Sequence, residues 1–373
     1  MRTGAYHSFP LDFPNVQVVG DDWCVLRDEC ILVLIVGQGY TQSIEIDAGH
    51  EVNAVAFTAD GEYLLSGLGW HLRGVQVWRV KTGERVATMK VKSNVFSLAV
   101  SNDGRFIAAG SYYGDVLVWD ATTYEQVFVD KIGTTACDVD FSPDSTRLVS
   151  AEGPDNTATI WDVAARKKVQ TLDHGGPDGL AAKYSPRGDR IATATRQSIR
   201  VWASDDGRLL LDIKVEVEPW HGLLWFNNHL FVKTEDSKIK QIDASTGSVT
   251  VSEWPVPHDR DSRIALPQHG QFIAYSTRDN VTFWDTSTCI QLGVISRSTY
   301  EHSIAFSPSG QLLALVQEHK IIIRNLSLVK VRPLVNRVPF LKRTSYTRNR
   351  TFILKTLRSM CGKTVSSPMR TRY

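Results

Sequence analysis

Five short strands in this chain end in tryptophan, and the distance from one tryptophan to the next hardly changes. VQVW ends at Trp78, VLVWD carries Trp119, ATIWD Trp161, IRVW Trp202 and VTFWD Trp284. Two further strands fit the same ruler with the ring replaced: IKQID puts Ile242 at that position and IIIRN puts Arg324 there. The steps between the seven positions are 41, 42, 41, 40, 42 and 40 residues. A period near 40 that carries a strand with an aromatic-acidic end marks a propeller array, in which each repeat is one small sheet.

A second element lies in register with the first. An apolar strand runs into a tight polar turn and out into another apolar strand: VNAVAF-TADG-EYLLSG (52–67), VFSLAV-SNDG-RFIAAG (95–110), ACDVDF-SPDS-TRLVSA (136–151) and GLAAKY-SPRG-DRIATA (179–194). SRIAL-PQHG-QFIAYS (262–276) and HSIAF-SPSG-QLLALV (302–316) continue the series, and in the fifth copy GLLWF and HLFVK flank Asn227-Asn228. Gly61, Gly104, Gly188, Gly270 and Gly310 supply the backbone freedom that the turns need. Pro143, Pro186 and Pro308 stand in the turns, where a fixed φ helps and no ladder donor is lost.

Together the two motifs resemble the WD-repeat family, the group that includes the beta subunit of heterotrimeric G proteins. The resemblance covers about residues 41–326 and implies an all-β, seven-bladed propeller of four-stranded antiparallel blades around a channel. Each repeat after the first begins with an outer strand following the previous tryptophan, as in ERVATMKV (84–91), EQVFVDKI (125–132) and KKVQTLD (167–173). The same alignment makes TQSIEID (41–47) an outer strand without a blade of its own, while the last repeat has only three strands. Pairing 41–47 with the strand ending near Leu326 completes the seventh sheet and leaves no open edge. The chain therefore divides into an N-terminal extension (1–40), the propeller (41–326) and a C-terminal tail (327–373).

The net charge of +2 conceals an asymmetry. From Ser327 onward 12 of 47 residues are Lys or Arg and none is acidic, which leaves 30 basic and 40 acidic residues, a charge of −10, in 1–326. A like-charge block of this kind is expected to be solvated and disordered, and the competing reading is attachment to an anionic surface. Gly362-Lys363-Thr364 looks like the end of a phosphate loop but lacks the earlier glycine, since Leu357 stands there, so no nucleotide site is expected. The five cysteines are odd in number and scattered, which points to a reduced intracellular compartment. The apolar run from Cys30 to Val36 is too short to span a bilayer. The expected location is the cytoplasm, with the nucleus as the alternative.

WD-repeat proteins often join a His between blades, a Ser or Thr on the second strand, the Trp and a turn Asp by hydrogen bonds. Here His50, Ser66 and Trp78 stand in the first repeat with Leu72 at the Asp position, and Ser150, Asp155 and Trp161 stand in the third without the His. Asp236 sits at the right offset in the fifth, where the Trp is lost, and no repeat has the complete set. Catalysis finds little support: there is no HExxH, no His-x-His pair, no carboxylate cluster at ligand spacing and no GxSxG elbow. No enzyme activity, cofactor or metal is expected.

Binding is the expectation that remains, and the repeat geometry indicates where. Turns between second and third strands gather with the inter-blade connections on one face, the upper one. The first repeat inserts LGWHLRG (68–74) there, presenting Trp70, His71 and Arg73, and the second presents Tyr112 and Tyr113. Trp, Tyr and Arg dominate interface hot spots because they bury large areas and keep a polar handle. Trp220 and Tyr300, on inter-blade connections, extend the same face. Against this stands a purely structural reading in which Trp70 plugs its own blade and the tyrosines are ordinary turn residues. Asp155, Arg196, Asp236, Arg278 and Glu318 give the remaining turns mixed charge, which favours a protein or peptide over a polyanion. The expected function is an intracellular interaction scaffold for a protein or peptide partner. The alternative is a lipid- or nucleic-acid-associated propeller attached by its basic tail. A ubiquitin-ligase adaptor is disfavoured, because Trp119-Asp120, Trp161-Asp162 and Trp284-Asp285 lack an Arg two residues on.

Overall fold

The structure is a computed structural model that describes residues 16–18, 24–26, 43–69, 73–132, 135–153, 155–175, 180–218, 222–236, 238–256, 262–277, 280–296, 303–317 and 319–326. Seven four-stranded antiparallel sheets follow one another, each a blade. Blade 1 is Val52–Phe57, Tyr63–Leu68, Gly74–Arg79 and Arg85–Lys90. Blade 2 is Val95–Val100, Phe106–Ser111, Asp115–Asp120 and Gln126–Lys131. Blade 3 runs from Ala136 to Asp173, blade 4 from Ala181 to Lys214, blade 5 from Leu223 to Pro255 and blade 6 from Arg263 to Ser296. Blade 7 holds Ile304–Phe306, Leu312–Gln317 and Lys320–Asn325, and its fourth strand is Ser43–Asp47. That strand pairs antiparallel with Lys320–Asn325, Ser43 opposite Arg324 and Asp47 opposite Lys320. Each first strand packs beside the first strand of the next blade around the whole circle, blade 7 meeting blade 1. Outside the ring, Val16–Val18 pairs with Cys24–Leu26.

The hairpin between first and second strands repeats because its turn chemistry repeats. Ser101 donates its hydroxyl to Asp103, accepts from the Phe106 amide, and Asp103 in turn accepts from the Arg105 amide. Thr58 with Asp60 and Ser142 with Asp144 close their turns in the same way. Such a side chain satisfies amides that the tight turn strips of ladder partners. Gly61 and Gly104 stand at φ +71°, which suits a residue without Cβ. Ser145 and Asn227 hold positive φ where the glycine is absent.

Each repeat tryptophan faces the preceding blade. Trp78 packs with Ile321, Ile323, Ala314 and Val316 of blade 7, Trp119 with Val75 and Val77 of blade 1, and Trp161 with Val116 and Val118 of blade 2. The core is thus seven seams between neighbours, and each wedge depends on the next for its apolar burial. Ile242 takes the ring's place in the seam between blades 4 and 5. Blade 5 regains aromatic volume elsewhere: Trp254 on its outer strand lies 5.8 Å from Phe231 in the seam with blade 6.

Candidate functional site: the upper face and the channel wall

Antiparallel pairing puts the turns between second and third strands on the same face as the connections that lead into each new blade. On that face the connection between blades 1 and 2, residues 91–94, is a hub. From the blade 1 side, Arg73 donates from Nη1 to the Lys92 carbonyl at 2.9 Å. From the blade 2 side, the Tyr112 amide donates to the Asn94 carbonyl at 2.9 Å and the Tyr113 amide to Ser93 Oγ at 3.1 Å. The Thr135 hydroxyl of the next connection donates to the Tyr112 carbonyl at 3.1 Å. Backbone and hydroxyl bonds therefore fix the tyrosine turn from both neighbours.

The rings make contacts of their own. Tyr112 meets Phe96, on the innermost strand, edge to face at a centroid distance of 5.7 Å, and meets Tyr113 at 5.4 Å. Both geometries suit the quadrupoles of aromatic rings. Tyr112 is nevertheless 39% exposed and Tyr113 52% exposed. Arg73 is exposed beside them.

Below this surface the first strands present side chains to the channel, and several cap the free edge of the next blade. A first strand has a ladder partner on one side only, so its other edge leaves amides without partners. Ser303 of blade 7 accepts from the Val55 amide of blade 1 at 3.2 Å, and Ser97 of blade 2 accepts from the Val139 amide of blade 3 at 3.2 Å. Asp140 of blade 3 accepts from the Tyr184 amide of blade 4 at 2.8 Å. Asp138 accepts from the Ser97 hydroxyl at 2.9 Å and pairs with Lys183 at 3.0 Å, which stitches blades 2, 3 and 4. Burial pushes the Asp140 carboxyl up to about 6, with Lys183 and the Tyr184 amide pulling it down and Asp138 adding to the rise. Burial works against the Lys183 ammonium, but the two aspartates hold its pKa above the usual lysine value.

The internal network that the sequence left incomplete is fullest in blade 4. The Trp202 indole donates to Thr193 Oγ1 at 2.8 Å, and that hydroxyl lies 2.7 Å from His174 Nδ1. His174 Nε2 faces Ser198 Oγ at 3.1 Å and Thr195 Oγ1 at 3.3 Å. Burial, helped by the Arg200 guanidinium, pushes the His174 pKa down to about 4. In blade 3 Trp161 donates to Ser150 at 2.8 Å, while Asp155 is exposed and buried Glu152 accepts from the Thr157 and Thr159 hydroxyls instead. In blade 1 Trp78 donates to Ser66 at 2.9 Å, and the buried Gln76 side chain, within reach of Ser66 and the Ala48 carbonyl, fills the interior. The spacing of the first repeat does not point to His174, which sits 19 residues before Thr193, whereas His50 stands 16 before Ser66.

Of the residues expected to form the binding face, Arg73, Tyr112 and Tyr113 converge on the 91–94 connection. Trp70, His71, Trp220 and Tyr300 lie outside the described residues, as do Arg278, Glu318 and the tail 327–373. Arg196 pairs with Glu235 at 3.9 Å, and Asp236 accepts from the Thr234 hydroxyl and pairs with Lys238 at 3.3 Å, so blades 4 and 5 present compensated charge. Lys233, 2% exposed, pairs with Glu218 in the connection above blade 5. Among the described residues no group of three or more His, Cys, Asp or Glu is placed to hold a metal ion. No helix among them is long and apolar enough to cross a membrane.

Comparison with known proteins agrees on the fold. The solved structure of U3-55K superposes with a TM-score of 0.65 at 18% identity over 74% of this chain and 96% of that one. The RRP9 WD40 repeats give a TM-score of 0.65 at 18% identity, covering 74% and 94%. This chain is a seven-bladed propeller with the WD-repeat fold. Cilia- and flagella-associated protein 52 of Macaca fascicularis is 28% identical over 183 residues, 43% of this chain and 31% of that protein. The chain thus spans about a third of that relative's length. THO complex subunit 3 of Arabidopsis thaliana is 21% identical across 66% of this chain and 80% of its own length. Eukaryotic translation initiation factor 3 subunit I of Emericella nidulans is 23% identical across 72% and 73%.

The family described as Cytochrome D1 heme domain matches residues 14–176, less than half of the chain. The described residues of that stretch do not fit a haem. Its buried histidine, His174, has both ring nitrogens engaged by hydroxyls, and burial pushes the Cys137 thiol up to about 12, away from the thiolate an iron would take.

Proposed function

We propose that this chain is a non-enzymatic intracellular interaction scaffold whose upper face takes a protein or peptide partner at the blade 1–blade 2 connection. The observation that carries the reading is the pair Tyr112 and Tyr113, half-exposed yet anchored by Phe96, by residues 93–94 and by Thr135. Large rings pre-ordered in the free protein lose little entropy when they are covered, which is the property of a hot spot. Arg73, exposed in the adjoining insertion, belongs to the same proposed face, to which the repeat alignment also assigns Trp70, His71, Trp220 and Tyr300, all outside the described residues. THO complex subunit 3 and initiation factor 3 subunit I are by name subunits of larger assemblies, which supports a scaffold over a catalyst.

Affinity capture with wild type against a Trp70→Ala, Tyr112→Ala, Tyr113→Ala variant tests this. The variant is expected to lose the specific partners while keeping the far-ultraviolet spectrum of the folded ring. Recovery of the same proteins by both would overturn the assignment. A second reading, attachment through the tail, draws on its 12 basic residues with no acidic ones. It predicts binding to anionic vesicles or nucleic acid that weakens steeply with salt and disappears when 327–373 are deleted.

A further inference from the structure

The cations around the tyrosine turn differ from most of their counterparts elsewhere on the upper half of the ring. Lys183, Arg196, Lys214, Lys233 and Lys238 of blades 4 and 5 each stand within salt-bridge distance of a carboxylate. Arg73, Lys90 and Lys92 are exposed, and the bond that Arg73 makes is to a backbone carbonyl rather than to an acid. They are drawn together by the fold. Lys90 ends the outer strand of blade 1 directly opposite Gly74, the residue after Arg73, and Arg73 reaches across to Lys92. Of the neighbouring carboxylates, Glu51 lies against Gly69 at the far end of the blade 1 turn, and Asp115 and Asp130 stand on the third and fourth strands of blade 2, outward of the tyrosine turn, with Asp130 accepting from the Lys131 amide. A propeller whose residues 1–326 carry a charge of −10 therefore sets beside its exposed ring pair three cations that, among the described residues, make no ion pair.

We infer that the docking segment of the partner is acidic: a peptide with an aliphatic or aromatic side chain seated on Phe96, Tyr112 and Tyr113, and Asp or Glu residues beside it facing Arg73, Lys90 and Lys92. This rests on the proposed function and names the chemistry of its partner. Apolar burial on the rings supplies affinity, and the carboxylates supply orientation and selection, because Arg and Lys at the rim attract anions and repel cationic segments. Residues 92–94 bind the two halves of the surface together, since the loop that carries Lys92 also holds the amides of Tyr112 and Tyr113. A basic segment is disfavoured at this place by the same three charges.

The test uses the full chain and three fluorescein-labelled pools of twelve-residue peptides. Each pool has a central Leu or Phe, flanked by Asp and Glu, by Lys and Arg, or by Ser and Gly; a single-stranded oligonucleotide and phosphatidylserine vesicles serve as further probes. The acidic pool is expected to bind at least about tenfold tighter than the other two, the scale of one to two charge-assisted hydrogen bonds, and to weaken as NaCl is raised. Arg73→Glu with Lys92→Glu should reverse the preference toward the basic pool, a gain that misfolding cannot produce. Tyr112→Ala with Tyr113→Ala should weaken every pool. Loss with the tyrosine pair but an unchanged preference in the charge-reversed variant would overturn this inference and leave the proposed face standing. Insensitivity to both variants, or tighter binding of the oligonucleotide or vesicles lost on charge reversal, would overturn the acidic-peptide assignment.

Discussion

Blades 4 and 7 fill the same structural position with opposite materials. In blade 4 the position opposite Ile191 is Trp202, whose indole N–H reaches Thr193, two residues further along the second strand, and through it His174. In blade 7 the position opposite Leu313 is Arg324, and Leu315 stands where the hydroxyl would be. The Arg324 Nε is buried without a hydrogen-bond partner. Both blades keep four strands and the same pairing of second with third strand. The repeat therefore needs a large side chain across the seam, and the polar anchor beneath it is a separate increment that a blade can lose. Blade 7 tolerates that loss beside a dense apolar seam of Ala274, Phe283, Ile295, Leu313 and Leu315.

This contrast can be broken by measurement. Trp202→Ala empties a buried seam and leaves Thr193 with His174 as its partner in place of two, and the expected cost is about 3–5 kcal/mol by urea denaturation. Ile242→Ala, in a seam without the anchor, should cost about 2–4 kcal/mol; a larger loss there than at Trp202 would refute the ranking. Thr193→Val keeps shape but leaves the Trp202 and His174 nitrogens short of a partner, for about 1–3 kcal/mol, and Thr193→Ser should restore most of it. Arg324→Leu removes a buried donor that has no acceptor and is expected to raise stability by about 1 kcal/mol. A destabilised variant would mean that the guanidinium contributes more than its aliphatic stem.

Acidity separates the blade 4 network from the channel wall beside it. His174 is held at about 4 in the folded chain, below the usual 6.5, so its contribution is whole above pH 6.5 and declines as the pH falls toward 4. Asp140 is raised to about 6 from the usual 3.8, so folding is favoured below 3.8 and that advantage is lost as the pH rises to 6. The two slopes oppose each other between pH 4 and 6. Asp140→Asn should make acid unfolding steeper, and His174→Gln should flatten or invert it. Parallel pH–stability curves for the two variants would sink this assignment.

Much of this molecule is legible along the chain. The turn at Ser101-Asn102-Asp103-Gly104 is closed by local hydrogen bonds that span five residues or fewer, and the same grammar recurs at Thr58 and Ser142; only the bonds of Asn102 and the Asp103 amide, to Pro143 and Ser145, reach into the next blade. Tyr112 and Tyr113 were readable as a paired turn for the same reason. His174 was not, because the lead into blade 4 is longer than the lead into blade 1 and the spacing test fails. Lys92 is not legible in the sequence, because nothing in its own neighbourhood distinguishes it from a solvated lysine. Only the Arg73 bond and the tyrosine amides give it a place.

What the residues alone settled is the number, order and hand-over of the wedges: tryptophan intervals, turn chemistry and strand alternation are short-range properties of consecutive residues. Only the assembled ring decided which polar groups meet across a seam. Ser97 and Asp138 lie 41 residues apart and Asp138 and Lys183 lie 45 apart, and their contact depends on how far each first strand stands from the axis. That radius is set by all seven blades packing together, so no window shorter than the ring contains it.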